Sequence, residues 1–400
     1  MSKQHPPMDE FVAQAREWLA GVAEPRTASA WGEGSDSVAV FENWTEEQER
    51  AETDRIRAYE RDKFDAGWGA LTWPAALGGR DLPMSYALAF RREEETFDVP
   101  RRTELFSVTQ QLIAPTIATW GTEEQKDTYL RAMLRTDILA CQLFSETEAG
   151  SDLAAVRTRA VQKDDGWVIN GHKVWTSGAR VSDLGVAVCR TDPQAPKHAG
   201  LTVFLVPMDA PGVTIRPIRQ MTGGASFNEV YLEDVVVSDA MRLGPVGQGW
   251  KVALTVLAAE RLDSGLLGLG NADRAVELAR NRPQPLTGLE RDAVGDLVAR
   301  SFVQRLTSMR VAAALVAGAD PGPEASIGKL LATDTMARTS EVVRLLLGSE
   351  LIVDSGAWGT WAWTEHVLGA PGYRIAGGTD EIQHNIIAER VMGLPKEPRP

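Results

Sequence analysis

Apolar and polar positions follow three successive rhythms along this 400-residue chain. Residues 8–23 and 45–65 carry apolar side chains at helical spacing, and the second segment, EEQERAETDRIRAYERD, keeps a charged face for solvent. PRTASAWGEGSDS between them reads as a loop, and GWGALTWPAALGGRDLP at 67–83 as a Gly/Pro-punctuated connection. Helical spacing resumes from about Met84 to Leu139. From about 140 to 240 the rhythm is that of strands. WVI, LGVAVCR, LTVFLVP, GVTIRP and FNEVYLEDVVV are bounded by Gly, Pro, Asn or Asp, and Asp165-Gly166 and Asn170-Gly171 read as turns. These runs predict a small antiparallel barrel or sandwich. After Gly249 helical spacing returns at 250–269, about 290–318, 324–349 and 380–392. The last segment opens on Thr379 as a cap, has acids in its first turn, and stops at Gly393 with Pro395 beyond. The predicted fold is α+β and multidomain: an N-terminal α-helical domain (1–138), a middle antiparallel β domain (139–240) and a C-terminal α-helical domain (241–400).

Composition narrows the function classes. A net charge of −13 without a basic stripe argues against nucleic acid. The two cysteines, Cys141 and Cys189, lie in apolar surroundings with no CxxC, which points to a reducing compartment and no structural metal. The first residues lack an apolar leader core, and no apolar run of about 18 residues occurs, so a cytoplasmic protein without a membrane span is expected.

Three stretches could carry chemistry. LFSETEAGSDLA, at 143–154, and VWTSGA, at 174–179, lie near strand ends. Gly150 lets backbone approach a ligand, Ser145, Ser151 and Ser177 offer hydroxyls, and Trp175 offers a flat wall. Such a set suits a planar, polar-edged ring with a phosphate nearby, as in a flavin nucleotide. The same residues also make ordinary turns and core. In WKVALTVLAAERL, at 250–262, Ala253, Leu257 and Glu260 fall at i, i+4 and i+7, which puts a carboxylate on an apolar face. It is either a base with a raised pKa or half of a buried ion pair. In RIAGGTDEIQHNIIAER, at 374–390, Gly377 and Gly378 permit a close approach at a helix N-terminus, or simply precede a capped helix.

In this order and at these separations, the three stretches resemble the acyl-CoA dehydrogenase family. WGTEEQK at 120–126, GWGALTWPAALGG, GLTVFLVPMDAPGVTIRP and PEASIGKLL at 323–331 agree, so the resemblance covers nearly the whole chain. It implies that the C-terminal domain is a four-helix bundle and that the fold encloses FAD and an acyl-CoA thioester. A carboxylate would take the proton beside the thioester carbonyl while the β-hydride moves to flavin N5, giving a trans-2-enoyl-CoA. An electron-transferring flavoprotein would reoxidise the flavin. By position, Phe144, Ser145, Ser151, Trp175, Thr176, Ser177, Thr379 and Glu381 match flavin-binding residues, and Ser151, Arg261, Gly377 and Gly378 match the substrate side. No metal is implied.

The pattern departs from the family at two places. Where many members read Tyr-Glu-Gly-Thr, this chain reads Ala376-Gly377-Gly378-Thr379, with no carboxylate. Members such as isovaleryl-CoA dehydrogenase place the base on the helix before an Arg, which here is Glu260 followed by Arg261. The segments that usually serve a neighbour's FAD read LARNRPQPLTGL and LLLGSELIVDSG, which match neither family motif. The expectation is a homo-oligomer (dimer or tetramer) with a divergent adenosine site, or a hetero-oligomer with a related subunit. The alternative functions are a flavin acyl-CoA oxidase using O₂ and a non-catalytic structural subunit.

Overall fold

The computed structural model describes residues 5–27, 38–266, 271–319, 322–353 and 360–396, with the side chains of 261–266 and 360–362 outside that description. Among the described residues six α-helices come first: α1 (Met8–Val22), α2 (Glu46–Asp65), α3 (Met84–Glu94), α4 (Glu104–Ser107), α5 (Ala114–Trp120) and α6 (Glu123–Leu134). A π-helical stretch, Val108–Ile113, joins α4 to α5. Capping boxes start two of them: Thr45 with Gln48 on α2, and Thr122 with Gln125 on α6. Eight strands follow: β1 (Ala140–Leu143), β2 (Arg159–Lys163), β3 (Gly166–Ser177), β4 (Leu184–Arg190), β5 (Leu201–Pro207), β6 (Val213–Ile218), β7 (Phe227–Ser238) and β8 (Arg242–Leu243). Helices close the chain: α7 (Gly249–Leu266), α8 (Ala272–Asn281), α9 (Gly288–Val316), α10 (Ala325–Leu347), α11 (Thr360–Tyr373) and α12 (Asp380–Ile386). No described helix is long and apolar enough to cross a membrane.

The described chain forms two compact units, one of 5–27, 44–219 and 225–259, the other of 38–43, 220–224 and 260–396. In the first, strands run in the order β6-β7-β3-β2-β4-β5-β8, with β1 also on β4. The sheet is not wholly antiparallel as the turns had suggested. β1 lies parallel to β4 from Ala140↔Leu184 to Leu143↔Ala187, because a long excursion through β2 and β3 separates the two strands. β2 meets β4 through one residue pair, Arg159↔Arg190. Asn170-Gly171 is a second correction. It is no hairpin turn but an irregularity inside β3, where a Cβ on Gly171 would stand 2.2 Å from Thr158 Oγ1. Both faces of β5 are buried: Val203 and Leu205 pack with Ile117, Met133 and Val256, while Phe204 and Val206 pack with Trp167, Ile169 and Val235. That double burial explains the unbroken apolar run LTVFLV.

In the second unit Leu278, Leu297, Val343, Leu346 and Trp363 form the core, with Val38 packed among them. The helical spacing had missed α8 and α11. Gly369, Pro371 and Gly372 break the pattern of α11, yet the glycines serve packing, since a Cβ on Gly369 would stand 2.9 Å from Val40 Cβ.

Candidate active site

In the first unit the stretch from Phe144 to Thr158 is a compact loop built on one carboxylate. Glu146, almost fully buried, accepts from Arg157 N at 2.6 Å and Thr158 N at 2.9 Å, and from Lys173 Nζ at 2.8 Å. Lys173, wholly buried, also donates to Phe144 O at 3.0 Å and Val188 O at 2.8 Å, which uses all three ammonium protons. Burial pushes the Glu146 carboxyl up, but the Lys173 charge and these bonds outweigh it, and the group lies below its usual range. Burial likewise pulls the Lys173 ammonium below its ordinary value, with Glu146 opposing. Above this anchor Ser151 is exposed, Ser145 is half-buried, and a Cβ on Gly150 would meet nothing within 4 Å. The Phe144 ring instead belongs to the core.

β3 then breaks its ladder with β7. Lys173 pairs with Val230 and Thr176 with Asn228, leaving one extra residue on β3. Trp175, in this bulge, has φ +61° and is 59% exposed. A non-glycine residue held there costs roughly 1–3 kcal/mol, and such strain marks sites where position matters more than stability. The Thr176 side chain turns inward; its Oγ1 is buried and finds no partner among the described residues, while its carbonyl accepts from Asn228 Nδ2 at 3.0 Å. The Ser177 hydroxyl donates to Glu104 at 3.0 Å.

The second unit holds the remaining candidates. Glu260 is half-buried on α7, and a Cβ on Gly377 would stand 3.1 Å from its Oε1. The Arg261 side chain lies outside the described residues. Gly377 and Gly378 both take positive φ, +63° and +85°. Thr379 caps α12, accepting from Ile382 N at 3.3 Å, and exposed Glu381 lies below its usual range through its own backbone amide and Thr379. The turn is braced by two residues the sequence did not single out. Buried Asp380 accepts from Arg374 Nε at 2.7 Å, Lys329 Nζ at 3.0 Å and Thr333 Oγ1 at 3.0 Å. Gln383 donates to Gly377 O at 2.8 Å.

Three domain models of one family match this chain in order: the acyl-CoA dehydrogenase N-terminal domain at 9–137, the middle domain at 141–235 and the C-terminal domain at 247–392. Over 399 residues, 98% of each chain, it is 34% identical to the acyl-CoA dehydrogenase IpdE1 of Mycobacterium tuberculosis. The chain belongs to the acyl-CoA dehydrogenase family. Another relative, acyl-CoA dehydrogenase FadE34 of the same organism, is 38% identical over 333 residues, which cover 83% of this chain but only 45% of that longer protein. Among solved structures, the steroid ACAD Tcur3481-Tcur3483 superposes with a TM-score of 0.78 at 26% identity, covering 99% of this chain and 100% of that one. The ChsE4-ChsE5 complex from Mycobacterium tuberculosis gives a TM-score of 0.74 at 25% identity over 99% of this chain and 100% of that one.

Members of this family are flavoprotein oxidoreductases. The residues of this acyl-CoA dehydrogenase fit such a group. The first unit offers an exposed indole held in place at energetic cost, open backbone at Gly150, and the Ser145 and Ser151 hydroxyls. The second unit offers a carboxylate, a two-glycine turn and a capped helix start. No group of three or more His, Cys, Asp or Glu placed to hold a metal occurs among the described residues.

Proposed function

We propose that the protein dehydrogenates an acyl-CoA thioester at its α,β bond, with Glu260 taking the α-proton. Bound FAD would supply the acceptor for the β-hydride, so proton and hydride leave together and a trans-2-enoyl-CoA forms. One observation carries this reading: the Glu260 carboxylate reaches within 3.1 Å of where a side chain at 377 would begin. The helix carboxylate thus stands beside the turn position that holds a Glu in many relatives, and glycine there leaves it room. Trp175 and the hydroxyls of Ser145, Ser151 and Ser177 would face the flavin. Phe144 and Thr176, whose side chains are buried, would contribute backbone only. In the second unit Thr379 and Glu381 are the candidates for flavin contact, and Gly377 and Gly378 for the thioester.

The name of the steroid ACAD relative supports a bulky, ring-bearing acyl group. The two-chain names of both structural relatives, with the altered segments at 278–289 and 345–356, support assembly with a related subunit over a homo-oligomer. A cytoplasmic location and an electron-transferring flavoprotein as oxidant complete the reading.

The test is turnover of ring-bearing and straight-chain acyl-CoAs by the FAD-loaded protein, with dye reduction and peroxide formation followed in parallel. Glu260→Gln is expected to keep FAD and lose about 10²–10⁴-fold in rate, the usual contribution of a general base. Undiminished turnover would remove Glu260 from the mechanism. Peroxide at the rate of dye reduction would make the enzyme an oxidase, and absence of any turnover with FAD bound would favour the structural-subunit alternative.

A further inference from the structure

We infer that Glu146 and Lys173 are positioning residues that set the geometry of the flavin-facing loop and of the Trp175 bulge together. The inference rests on the flavoprotein reading above and assigns two residues to it. Lys173 lies two positions before Trp175 on β3, and its ammonium fastens three separate backbone segments: Phe144 at the start of the loop, Val188 on β4, and, through Glu146, the amides of Arg157 and Thr158 at the loop's end. The adjoining Val174 N donates to Ser145 O at 3.0 Å, so the loop and the bulge are tied at consecutive residues. Every ammonium proton is used, and the carboxylate accepts from three donors.

A buried ion pair is poor at stabilising a fold, since apolar groups of similar volume in its place are often as stable or more so. What this pair does that an apolar pair would not is fix two backbone carbonyls and two backbone amides at defined distances. Next to it the chain tolerates a left-handed tryptophan, a conformation that persists only when its surroundings over-determine it. The pair supplies that restraint from below, and the exposed indole and the loop hydroxyls are what it holds in place.

The experiment separates holding the fold from holding the site. Glu146→Gln, Lys173→Met and the double variant are made in the full chain. Melting temperature, hydrogen exchange at 144–158 and 174–178, and FAD affinity with the visible circular dichroism of bound flavin are then measured. Each single variant leaves one buried group unpaired and is expected to melt well below wild type. The double variant is expected to regain most of the melting temperature, yet to exchange at least tenfold faster in the two segments and bind FAD at least tenfold more weakly. Wild-type exchange and flavin dichroism in the double variant would overturn the inference and leave the pair a merely structural one. If the double variant does not fold, Glu146→Asp, which keeps the charge and shortens its reach, carries the same comparison. A wild-type chain that takes up no FAD by itself would assign the rest of the cofactor site to a related subunit, and the exchange data would still decide the role of the pair.

Discussion

Gly377 and Glu260 exclude one another's bulk: a Cβ on the glycine would stand 3.1 Å from Oε1 of the glutamate. The glycine also sits at φ +63°, where side chains are disfavoured by roughly 1–2 kcal/mol. Gly377→Ala is therefore expected to displace the carboxylate, lower the melting temperature by a few degrees and cut turnover at least tenfold with FAD still bound. Steady-state rates and a thermal melt check this. Unchanged kcat would mean that Glu260 does not act from its present place.

Trp175 gives the opposite sign. Glycine tolerates φ +61°, so Trp175→Gly removes the backbone strain and is expected to leave the melting temperature equal or higher. It also removes the exposed indole, so FAD affinity is expected to fall. A variant that is destabilised but binds FAD normally would show that the indole serves packing alone.

Asp380 closes the two-glycine turn from below. Asp380→Asn leaves Lys329, nearly buried, without its counter-charge and is expected to cost about 3 kcal/mol. Urea denaturation measures this. A loss below about 1 kcal/mol, the worth of an exposed pair, would mean that water reaches Lys329.

Acid should act in two separable windows. His366, fully buried, is held neutral by desolvation, with backbone carbonyls of Met336 and Val38 opposing, and its pKa falls from 6.5 to about 4. The unfolded chain binds the proton first, so stability is complete above about pH 6.5 and declines as pH falls toward 4. Burial pushes Glu60 up, but Arg102 and Lys63 outweigh it and bring its pKa from 4.5 to about 2. Its contribution is present above about pH 4.5 and is lost as pH falls toward 2. Melting temperature against pH is expected to show both declines, and His366→Gln to flatten only the upper one. An unaltered profile in that variant would assign the upper window to other groups.

The helical, strand and helical order was legible in the residues alone, because burial imposes local periods of 3.6 and 2 on each segment. The sequence also marked the start of α12, where Thr379 caps within four residues. Tertiary structure decided what depends on partners far along the chain. Asn170-Gly171 looks like a turn locally, yet it lies inside β3 as an irregularity in the pairing with β7, at a place where Thr158 leaves no room for a Cβ. The left-handed Trp175 follows from the pairing of β3 with β7, not from its neighbours in WTS. Lys173 meets Glu146 across 27 positions and Lys329 meets Asp380 across 51, and no local pattern announces either pair. Charges buried this way are satisfied only when separate elements converge, so folding, and not composition, selects which acids and lysines brace the candidate site.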